Sequence, residues 1–282
     1  LNTWEVLDIG LDSAFIESLK TAKQFITKND ILPLYKPRNK WSHKGTFGHS
    51  LLIGGSFGKI GAISLATKAA LKIGSGLVSA YLPKCGYNAI QTSIPEAMVE
   101  VDDDKALKYF NFKTQPTVIG IGPGMGTAEK TIKGFEAFLK ENTKSLVLDA
   151  DALNILSLRT DLLNYLPKEA VLTPHPKELE RLIGTWKSDY EKLQKTADFS
   201  KKYNCIIVLK GTYTVTIQND QFYFNSTGNP CLATGGSGDV LTGMITGLVA
   251  QGYQPLNAAV FGVYLHGRTA DIAVSQMGHE TF

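Results

Sequence analysis

A glycine-rich loop runs directly into an apolar helical pattern between residues 229 and 248, in the sequence NPCLATGGSGDVLTGMITGL. A helix leaves the N–H groups of its first turn without partners, and its dipole attracts negative charge to that end. The N–H groups of Gly236, Ser237 and Gly238 are therefore candidates to bind a phosphate or a developing oxyanion. Asp239 follows, and a carboxylate beside a bound anion has a raised proton affinity, which suits a general base. The alternative is that Asp239 only caps the helix.

Three further glycine-containing segments follow predicted strands. They are Gly54–Ser56, Gly122–Gly126 and Lys210–Gly211. Ligands of parallel α/β sheets bind beyond the carboxyl ends of the strands, so these segments and the 235–239 loop are expected to share one rim and form a pocket. None of them has the GxxxxGK pattern of a phosphate-binding loop, and GIGPGMG lacks the context of a dinucleotide fingerprint. The alternative is that these glycines only turn the chain tightly.

Charged residues at strand ends complete the candidate site. Lys210 follows a predicted buried strand, a position where a lysine usually has a partner, so we favour contact with a phosphate. The alternative is that Lys210 lies at a solvated strand end. His175 in TPHPKE either faces a ligand or is a loop histidine without one, and Glu178 follows three residues later. Asp149 and Asp151 stand where a strand ends and a helix begins. One of them is expected to position His175 or a metal-bound water, and the other, preferably Asp151, to cap the helix.

Composition limits the class of protein. The chain has 282 residues, 43% hydrophobic and 20% charged, which is enough for one large core. A net charge of +3, without windows that combine basic and aromatic residues, argues against a nucleic-acid surface. Three cysteines without CxxC spacing indicate neither a disulfide framework nor a zinc site. No apolar stretch is long enough to span a membrane and no signal peptide begins the chain, so we expect a cytoplasmic protein without a membrane partner.

Apolar runs of strand length alternate with helical patterns along most of the chain. The predicted elements are strand His49–Gly54, helix Ala62–Gly74, strand Leu77–Pro83, strand Thr117–Gly122, helix Ala128–Lys140, strand Ser145–Ala150, a short helix from Ala152, strand Ala170–Pro174, helix Tyr190–Tyr203, strand Cys205–Gly211, two strands around Asn219–Asp220, and helices from Ser237 and Pro255. Nearly continuous apolar strands predict a parallel sheet covered on both faces. We therefore expect a three-layer α/β/α sandwich with a mostly parallel central sheet and an antiparallel edge hairpin.

The first forty residues differ from the rest. Residues 1–40 are polar, with a helical stretch near Ser13 to Phe25, and are interpreted as a lead-in or linker. Residues 41–282 are interpreted as one domain.

Six ordered blocks resemble the ADP/ATP-dependent NAD(P)H-hydrate dehydratases, a branch of the ribokinase-like superfamily. The blocks are SHKGTFGHSLLIGGSFGKIGA from Ser42, GIGPGMG from Gly120, LDADALN from Leu148, TPHPKEL from Thr173, VLKGTYT from Val208 and GNPCLATGGSGD from Gly228. The resemblance runs from about His43 to Gly267. It implies a ribokinase-like fold. One departure is Cys231, where the family pattern has a smaller residue.

The resemblance also implies an activity and a set of site residues. The activity is dehydration of the S-epimer of hydrated NADH or NADPH, in which ADP or ATP with Mg²⁺ phosphorylates the ring hydroxyl and phosphate is then eliminated. Asp239 would be the catalytic base, with Gly236, Ser237 and Gly238 as the anion site. The nucleotide would contact Lys210, Gly211, Thr212, Tyr213, Thr214, Asn229 and Gly238. The substrate would contact Ala62, Gly122, Gly124, His175 and Asp239. Glu178 would act on the metal indirectly.

Two other functions are compatible with the residues. A small-molecule kinase acting on a hydroxymethylpyrimidine, pyridoxal or a sugar hydroxyl would use the same fold and base, but the NxxE motif of such kinases is HxxE here, from His175 to Glu178. A nucleotide-binding regulator without turnover would require loss of the base or of the glycine loop, and both are present. The family further implies a homo-oligomer and favours ADP. The lead-in DIGLD, residues 8–12, resembles the end of an epimerase domain, so we expect such a domain upstream in the native chain.

Overall fold

The central element of the molecule is one ten-stranded sheet. A computed structural model of the chain describes residue 7 and residues 9–278. The strands are β1 Lys23–Ile26, β2 His49–Ile53, β3 Leu77–Leu82, β4 Met98–Val101, β5 Val118–Ile121, β6 Ser145–Leu148, β7 Val171–Leu172, β8 Ile206–Leu209, β9 Val215–Gln218 and β10 Gln221–Asn225. Their order across the sheet is β1-β10-β9-β8-β7-β6-β5-β2-β3-β4. The strands from β8 to β4 in this order are parallel, and β9 is antiparallel to both of its neighbours.

Helices cover both faces of the sheet. They are α1 Ser13–Ser18, α2 Lys28–Ile31, α3 Ile60–Lys72, α4 Tyr87–Ser93, α5 Glu129–Glu141, α6 Asp151–Leu158, α7 Pro176–Ile183, α8 Asp189–Tyr203, α9 Ser237–Ala250 and α10 Pro255–Met277. One face packs against α5 to α8, with residues such as Ile119 and Phe135 in that core. The other face packs against α3, α4, α9 and α10. All four residues of β5 are buried, as expected for a strand covered on both sides.

The predicted architecture is confirmed. The predicted βαβ units are present, with boundaries within a few residues of those expected, and β9 and β10 form the antiparallel hairpin around Asn219. The fold is a mostly parallel sheet between two helical layers. Five of these elements were not predicted, namely the strands β1 and β4 and the helices α2, α4 and α7, the last of which directly follows the TPH sequence.

The lead-in contains the main correction to the predicted elements. The helix expected from Ser13 to Phe25 is wrong beyond Ser18, because residues 23–26 form β1 instead. This strand pairs in parallel with β10 and so lies outside the predicted hairpin. Ile26 and Ile31 are buried in the core beside α10. Residues 23–31 therefore pack as part of the sandwich. The epimerase-like lead-in falls partly outside the described residues, since residues 1–6 and 8 are not among them.

The two helices beside the candidate site pack very closely. A Cβ added at Gly243 of α9 would lie 2.1 Å from the carbonyl oxygen of Ala66 in α3, so only glycine fits there. This contact joins the middle of α9 to the middle of α3 and holds the two helices side by side. None of the helices that the structure describes has both the length and the apolar character needed to cross a membrane.

Candidate active site

The carboxyl ends of five neighbouring parallel strands bring the predicted residues to one rim. In sheet order these ends carry Lys210 after β8, His175 after β7, Asp149 after β6, Gly122 after β5 and Gly54 after β2. The N-terminus of α9 lies at the same rim, because Gly238 is close to both Lys210 and Asp149. The predicted gathering of the glycine loops with Lys210, His175 and Asp239 is therefore observed in the fold.

The start of α9 has the geometry of an anion site. Its N-cap residue is Gly236, in the left-handed region with φ 94°, and no side chain caps this end among the described residues. The N–H of Val240 bonds to Gly236, and the N–H of Ser237 bonds at 3.4 Å to the carbonyl of Thr234. The first turn thus keeps N–H groups at the helix end, including that of Gly238, for an incoming anion.

Asp239 is the third residue of α9 and is half-buried. Burial, and next the nearby carboxylate of Asp149, raise the pKa of Asp239 to about 6, while Lys210 acts in the opposite direction. The sequence predicted a raised proton affinity from a bound phosphate. The structure gives the same direction from burial and Asp149 before any anion binds. A carboxyl group with this pKa can both accept and return a proton near neutral pH.

Asp149 holds Lys210 in place from below the rim. Its carboxylate, 1% exposed, accepts a hydrogen bond from Lys210 Nζ at 2.8 Å and another from Thr242 Oγ1 at 2.8 Å. The charge of Asp149 also acts on the pKa of His175, and its expected role of positioning His175 or a metal-bound water stays a prediction. The expectation that Asp151 caps α6 is wrong, because its side chain makes no cap hydrogen bond. It accepts a hydrogen bond from Gly126 N at 2.8 Å and so fastens the GPGMG loop.

His175 and Glu178 form a capping box at the start of α7. The Nδ1 of His175 accepts from Lys177 N at 3.1 Å and from Glu178 N at 3.4 Å, while Glu178 Oε2 accepts from His175 N at 2.8 Å. Burial is the main cause that lowers the pKa of His175, so its ring is neutral at pH 7. Because Nδ1 is an acceptor, the ring proton lies on Nε2, which is 3.5 Å from Glu178 Oε1. This contact is long and the His175 side chain is 45% exposed, so the Nε2–H can also reach a ligand. Glu178 is 6% exposed, and its Oε2 lies 3.9 Å from Lys210 Nζ.

The loops predicted to hold the nucleotide lie next to each other. Residues 210–214 link β8 to β9, and Thr214 O accepts from Asn225 N at 3.0 Å, which connects them to the segment leading to Asn229. Both polar ends of the Asn229 side chain are used within the protein, since Nδ2 donates to Asp271 at 3.1 Å and Oδ1 accepts from Cys231 N at 3.0 Å. Asn229 therefore shapes the loop. Cys231 is buried in a short 3₁₀ helix.

The segments predicted to face the substrate lie beside the start of α3. Gly122, with φ 126°, is fixed by crowding, because an added Cβ would lie 1.8 Å from the carbonyl oxygen of Asp149. A Cβ at Gly124 would lie 3.2 Å from the Cβ of Ala62, which places both of these predicted residues together. Ser56 donates to the carbonyl of Gly124 at 2.8 Å and ties the two glycine loops to each other.

Three further residues support the site and were missed. Thr242 lies one helical turn after Gly238, on the same face of α9, a spacing that was visible in the sequence. His266 of α10 lies with Nε2 3.4 Å from Ser237 Oγ, and burial lowers its pKa to about 4, so it is neutral. Asp271 accepts from Gly228 N as well as from Asn229. The last two residues lie on a largely apolar helix, where no sequence pattern marks them.

The fold and the rim define the class of protein. The chain is similar to a ribokinase-like superfamily protein from Enterococcus faecalis, with a TM-score of 0.80 and 28% identity, covering 91% of this chain and 90% of that one. It is also similar to the ADP/ATP-dependent NAD(P)H-hydrate dehydratase of Bacillus subtilis co-crystallised with ATP/Mg²⁺, with a TM-score of 0.75, 30% identity and 92% of both chains covered. The fold is thus the ribokinase-like fold that the sequence predicted.

Sequence comparison narrows the class to a family. A family model described as NAD(P)H-hydrate dehydratase matches residues 50–281. An ADP-dependent (S)-NAD(P)H-hydrate dehydratase from Neisseria meningitidis is 38% identical, covering 87% of this chain and 83% of that protein. The chain belongs to the NAD(P)H-hydrate dehydratase family. A bifunctional NAD(P)H-hydrate repair enzyme from Moorella thermoacetica is also 38% identical over 97% of this chain, and the chain spans about half, 54%, of that relative's length.

Proposed function

We propose that the protein uses ADP or ATP to dehydrate the S-epimer of hydrated NADH or NADPH and so restores the working cofactor. The observation that carries the proposal is the position of Asp239, a carboxyl group with a pKa of about 6, directly beside the anion site of α9 and Lys210. Kinases and dehydratases of this fold need a base next to a phosphate site. Family membership favours the dehydratase.

The first chemical step is phosphoryl transfer to the hydroxyl on the hydrated nicotinamide ring. Asp239 accepts the hydroxyl proton as the oxygen bonds to the terminal phosphorus of the nucleotide. The bond from that phosphorus to the bridging oxygen breaks, and AMP leaves from ADP or ADP leaves from ATP. The N–H groups at the start of α9 and the ammonium of Lys210 stabilise charge on the transferred phosphoryl group, where such groups act most strongly. Lys210 suits this task because Asp149 already holds its amine at the rim.

The second step is elimination of phosphate, and it explains why the reaction consumes a nucleotide. The bond from the ring carbon to oxygen breaks, and its electron pair leaves with phosphate, a far better leaving group than hydroxide. The ring nitrogen supplies electrons to that carbon, and loss of a proton from the adjacent carbon restores the double bond. The products are NADH or NADPH, phosphate, and AMP from ADP or ADP from ATP. The neutral His175 offers Nε2–H to orient the ring.

The residues present fit a magnesium ion that arrives with the nucleotide. Within the described part of the chain, no group of three or more His, Cys, Asp or Glu side chains is arranged to hold a metal. Mg²⁺ is commonly held by phosphate oxygens and water with one or two carboxylates, and we assign Glu178 to it through a water. When bound, the ion neutralises charge on the phosphates.

Several finer points belong to the proposal. The relative from Neisseria meningitidis is named ADP-dependent, and we propose ADP as the preferred donor here too. Because the bifunctional relatives are about twice as long as the matched region, we propose an epimerase domain upstream in the native chain. From the family resemblance we also propose that the enzyme is homo-oligomeric and cytoplasmic. A full-length reading frame without an upstream epimerase domain would contradict the epimerase proposal and leave the proposed dehydratase activity unaffected.

The test supplies purified protein and Mg²⁺ with hydrated NADH and either ADP or ATP, and follows the near-ultraviolet absorbance of the reduced nicotinamide. We expect recovery that requires a nucleotide and releases one phosphate for each NADH. The Asp239→Asn variant should lose about 100-fold to 10,000-fold in rate and still bind nucleotide. If folded protein restores no NADH with either nucleotide but phosphorylates a vitamin or sugar hydroxyl, the protein is a kinase and the proposal is wrong.

A further inference from the structure

The ring of Phe57 is exposed at the rim on a fixed backbone. Its side chain is 70% exposed, although it is large and apolar. Its N–H donates to the carbonyl of Lys105 at 2.9 Å, and the neighbouring Ser56 is tied to Gly124. The ammonium of Lys105 lies 5.4 Å from the centre of the ring. A flat ring held this way is a preformed surface on which another flat ring can stack.

The position of Phe57 relative to α3 shows where such a ligand would extend. Leu65 of α3 lies against Gly236 of the anion site, since a Cβ there would approach its Cδ1 to 2.4 Å. Ala62, about one turn closer to the start of the helix, lies against Gly124. Phe57 precedes the helix altogether. The start of α3 therefore follows a path from the catalytic loop, past the GPGMG loop, to the ring of Phe57.

We propose that Phe57 stacks on the adenine base of the dinucleotide substrate. This inference rests on the proposed function, which requires the hydrated nicotinamide ring to lie at Asp239. The substrate carries its second base at the other end of a pyrophosphate-linked chain, so that base lies far from Asp239 along the path beside α3. Lys105 covers one side of the Phe57 ring and leaves the opposite face for the base. Phe57 is thus a residue for binding and specificity and takes no part in the chemistry.

The experiment compares hydrated NADH with hydrated, reduced nicotinamide mononucleotide, which has the reacting ring but no adenosine. Phe57→Ala should raise KM for hydrated NADH about fivefold to 100-fold, the range for loss of one stacked base, with kcat nearly unchanged. The same change should leave KM for the mononucleotide unaltered. Phe57→Trp should restore KM for hydrated NADH, because it restores a stacking face.

Tyr190 provides a matched control. It is also 70% exposed, and Lys23 Nζ lies 5.9 Å from its ring centre, but it belongs to α8 on the other helical layer. Tyr190→Ala should leave KM for both substrates unchanged. If wild-type protein turns over hydrated NADH and Phe57→Ala alters neither KM, or alters both equally, the stacking proposal is refuted and the proposed function stands. If wild-type protein turns over neither substrate with either nucleotide, both the stacking proposal and the proposed function are refuted.

Discussion

The pKa of Asp239 leads to a quantitative prediction for the pH dependence of the enzyme. The base must be ionised to accept a proton, and with a pKa of about 6 it is about nine-tenths ionised at pH 7 and about one-tenth ionised at pH 5. The rate should therefore fall roughly tenfold between these pH values. An aspartate at its ordinary value of 3.8 would lose less than about one-tenth of the rate over the same range.

The assay measures kcat/KM with nucleotide and hydrated NADH well below saturation, because this ratio reports ionisation in the free enzyme. Samples are quenched at intervals and the NADH is read at one neutral pH, with a blank without protein at each pH. We expect an acid limb with a midpoint near 6. A flat profile down to about pH 5 would refute the assignment of Asp239 as a base with a raised pKa.

Asp149→Asn provides the matched variant for this profile. The negative charge of Asp149 raises the pKa of Asp239, and the ammonium of Lys210 lowers it. Replacing Asp149 removes the first effect and strengthens the second, so the acid limb should move to lower pH. An upward shift in a variant that still melts cooperatively would show that Asp149 does not act on the base through its charge.

The same ionisation must also appear in stability. A carboxyl group whose pKa is higher in the folded state than in the unfolded state opposes folding once it ionises, so stability is lost as pH rises from about 4 through about 6. Asp239→Asn removes this penalty. Its melting temperature should exceed that of the wild type above about pH 6, and the difference should vanish near pH 4. An equal difference at both pH values would point to a packing effect.

Three other changes test the rim and the helix pair around it. Lys210→Gln should reduce kcat/KM about 10-fold to 1,000-fold through loss of phosphate stabilisation and should move the acid limb of Asp239 to higher pH, which the same pH series measures. Gly236→Ala should lower kcat, because its φ is 94° and the new Cβ would lie 2.4 Å from a leucine side chain, and single-turnover rates would detect this. Gly243→Ala should destabilise the fold by about 1–3 kcal/mol in urea unfolding, because its Cβ would overlap an α3 carbonyl oxygen, whereas Gly61→Ala, with open space around it, should not.

The sequence predicted those features that depend on local pattern. Continuous apolar runs such as 118–121 identify strands covered on both faces, and the glycine loop before Ser237 marks a helix start. Strand β1 was not predicted, because only Ile26 of its four residues is buried. Its sequence therefore shows neither an alternation of apolar and polar residues nor a continuous apolar run. Helix α7 was not predicted, because its first residues were interpreted as a ligand motif. Pro176 and Glu178 are nevertheless typical of a helix start.

Contacts between distant segments are what the sequence could not supply. Asp149 meets Lys210 and Thr242 across 61 and 93 residues, and no spacing rule connects them. The direction of the Asp239 pKa shift was therefore predictable from the sequence, whereas two of its causes, burial and the charge of Asp149, are visible only in the fold. His266 reaches Ser237 across 29 residues from an apolar helix for a similar reason. Motifs indicate which residues do chemistry, and the fold determines which neighbouring groups shift their pKa values and hold their side chains.

The balance of charge at the rim leads to a last prediction about magnesium. The carboxylates of Asp149 and Glu178 lie 2.8 and 3.9 Å from the ammonium of Lys210, and Asp239 is mostly ionised at pH 7, so these four groups together carry about two negative charges. His175 and His266 are neutral and do not offset them. Free ADP, an anion, should therefore bind weakly without a cation.

Titration calorimetry with ADP, in Mg²⁺ or in a chelator, measures this effect. We expect wild-type protein to bind ADP at least about tenfold more tightly with Mg²⁺, which corresponds to about 1.4 kcal/mol. Asp239→Asn removes one of the repelling charges, so it should tighten binding of metal-free ADP and narrow the difference. If wild-type protein binds ADP equally well in the chelator, then the N–H groups of α9 and Lys210 outweigh the carboxylates and the prediction is wrong.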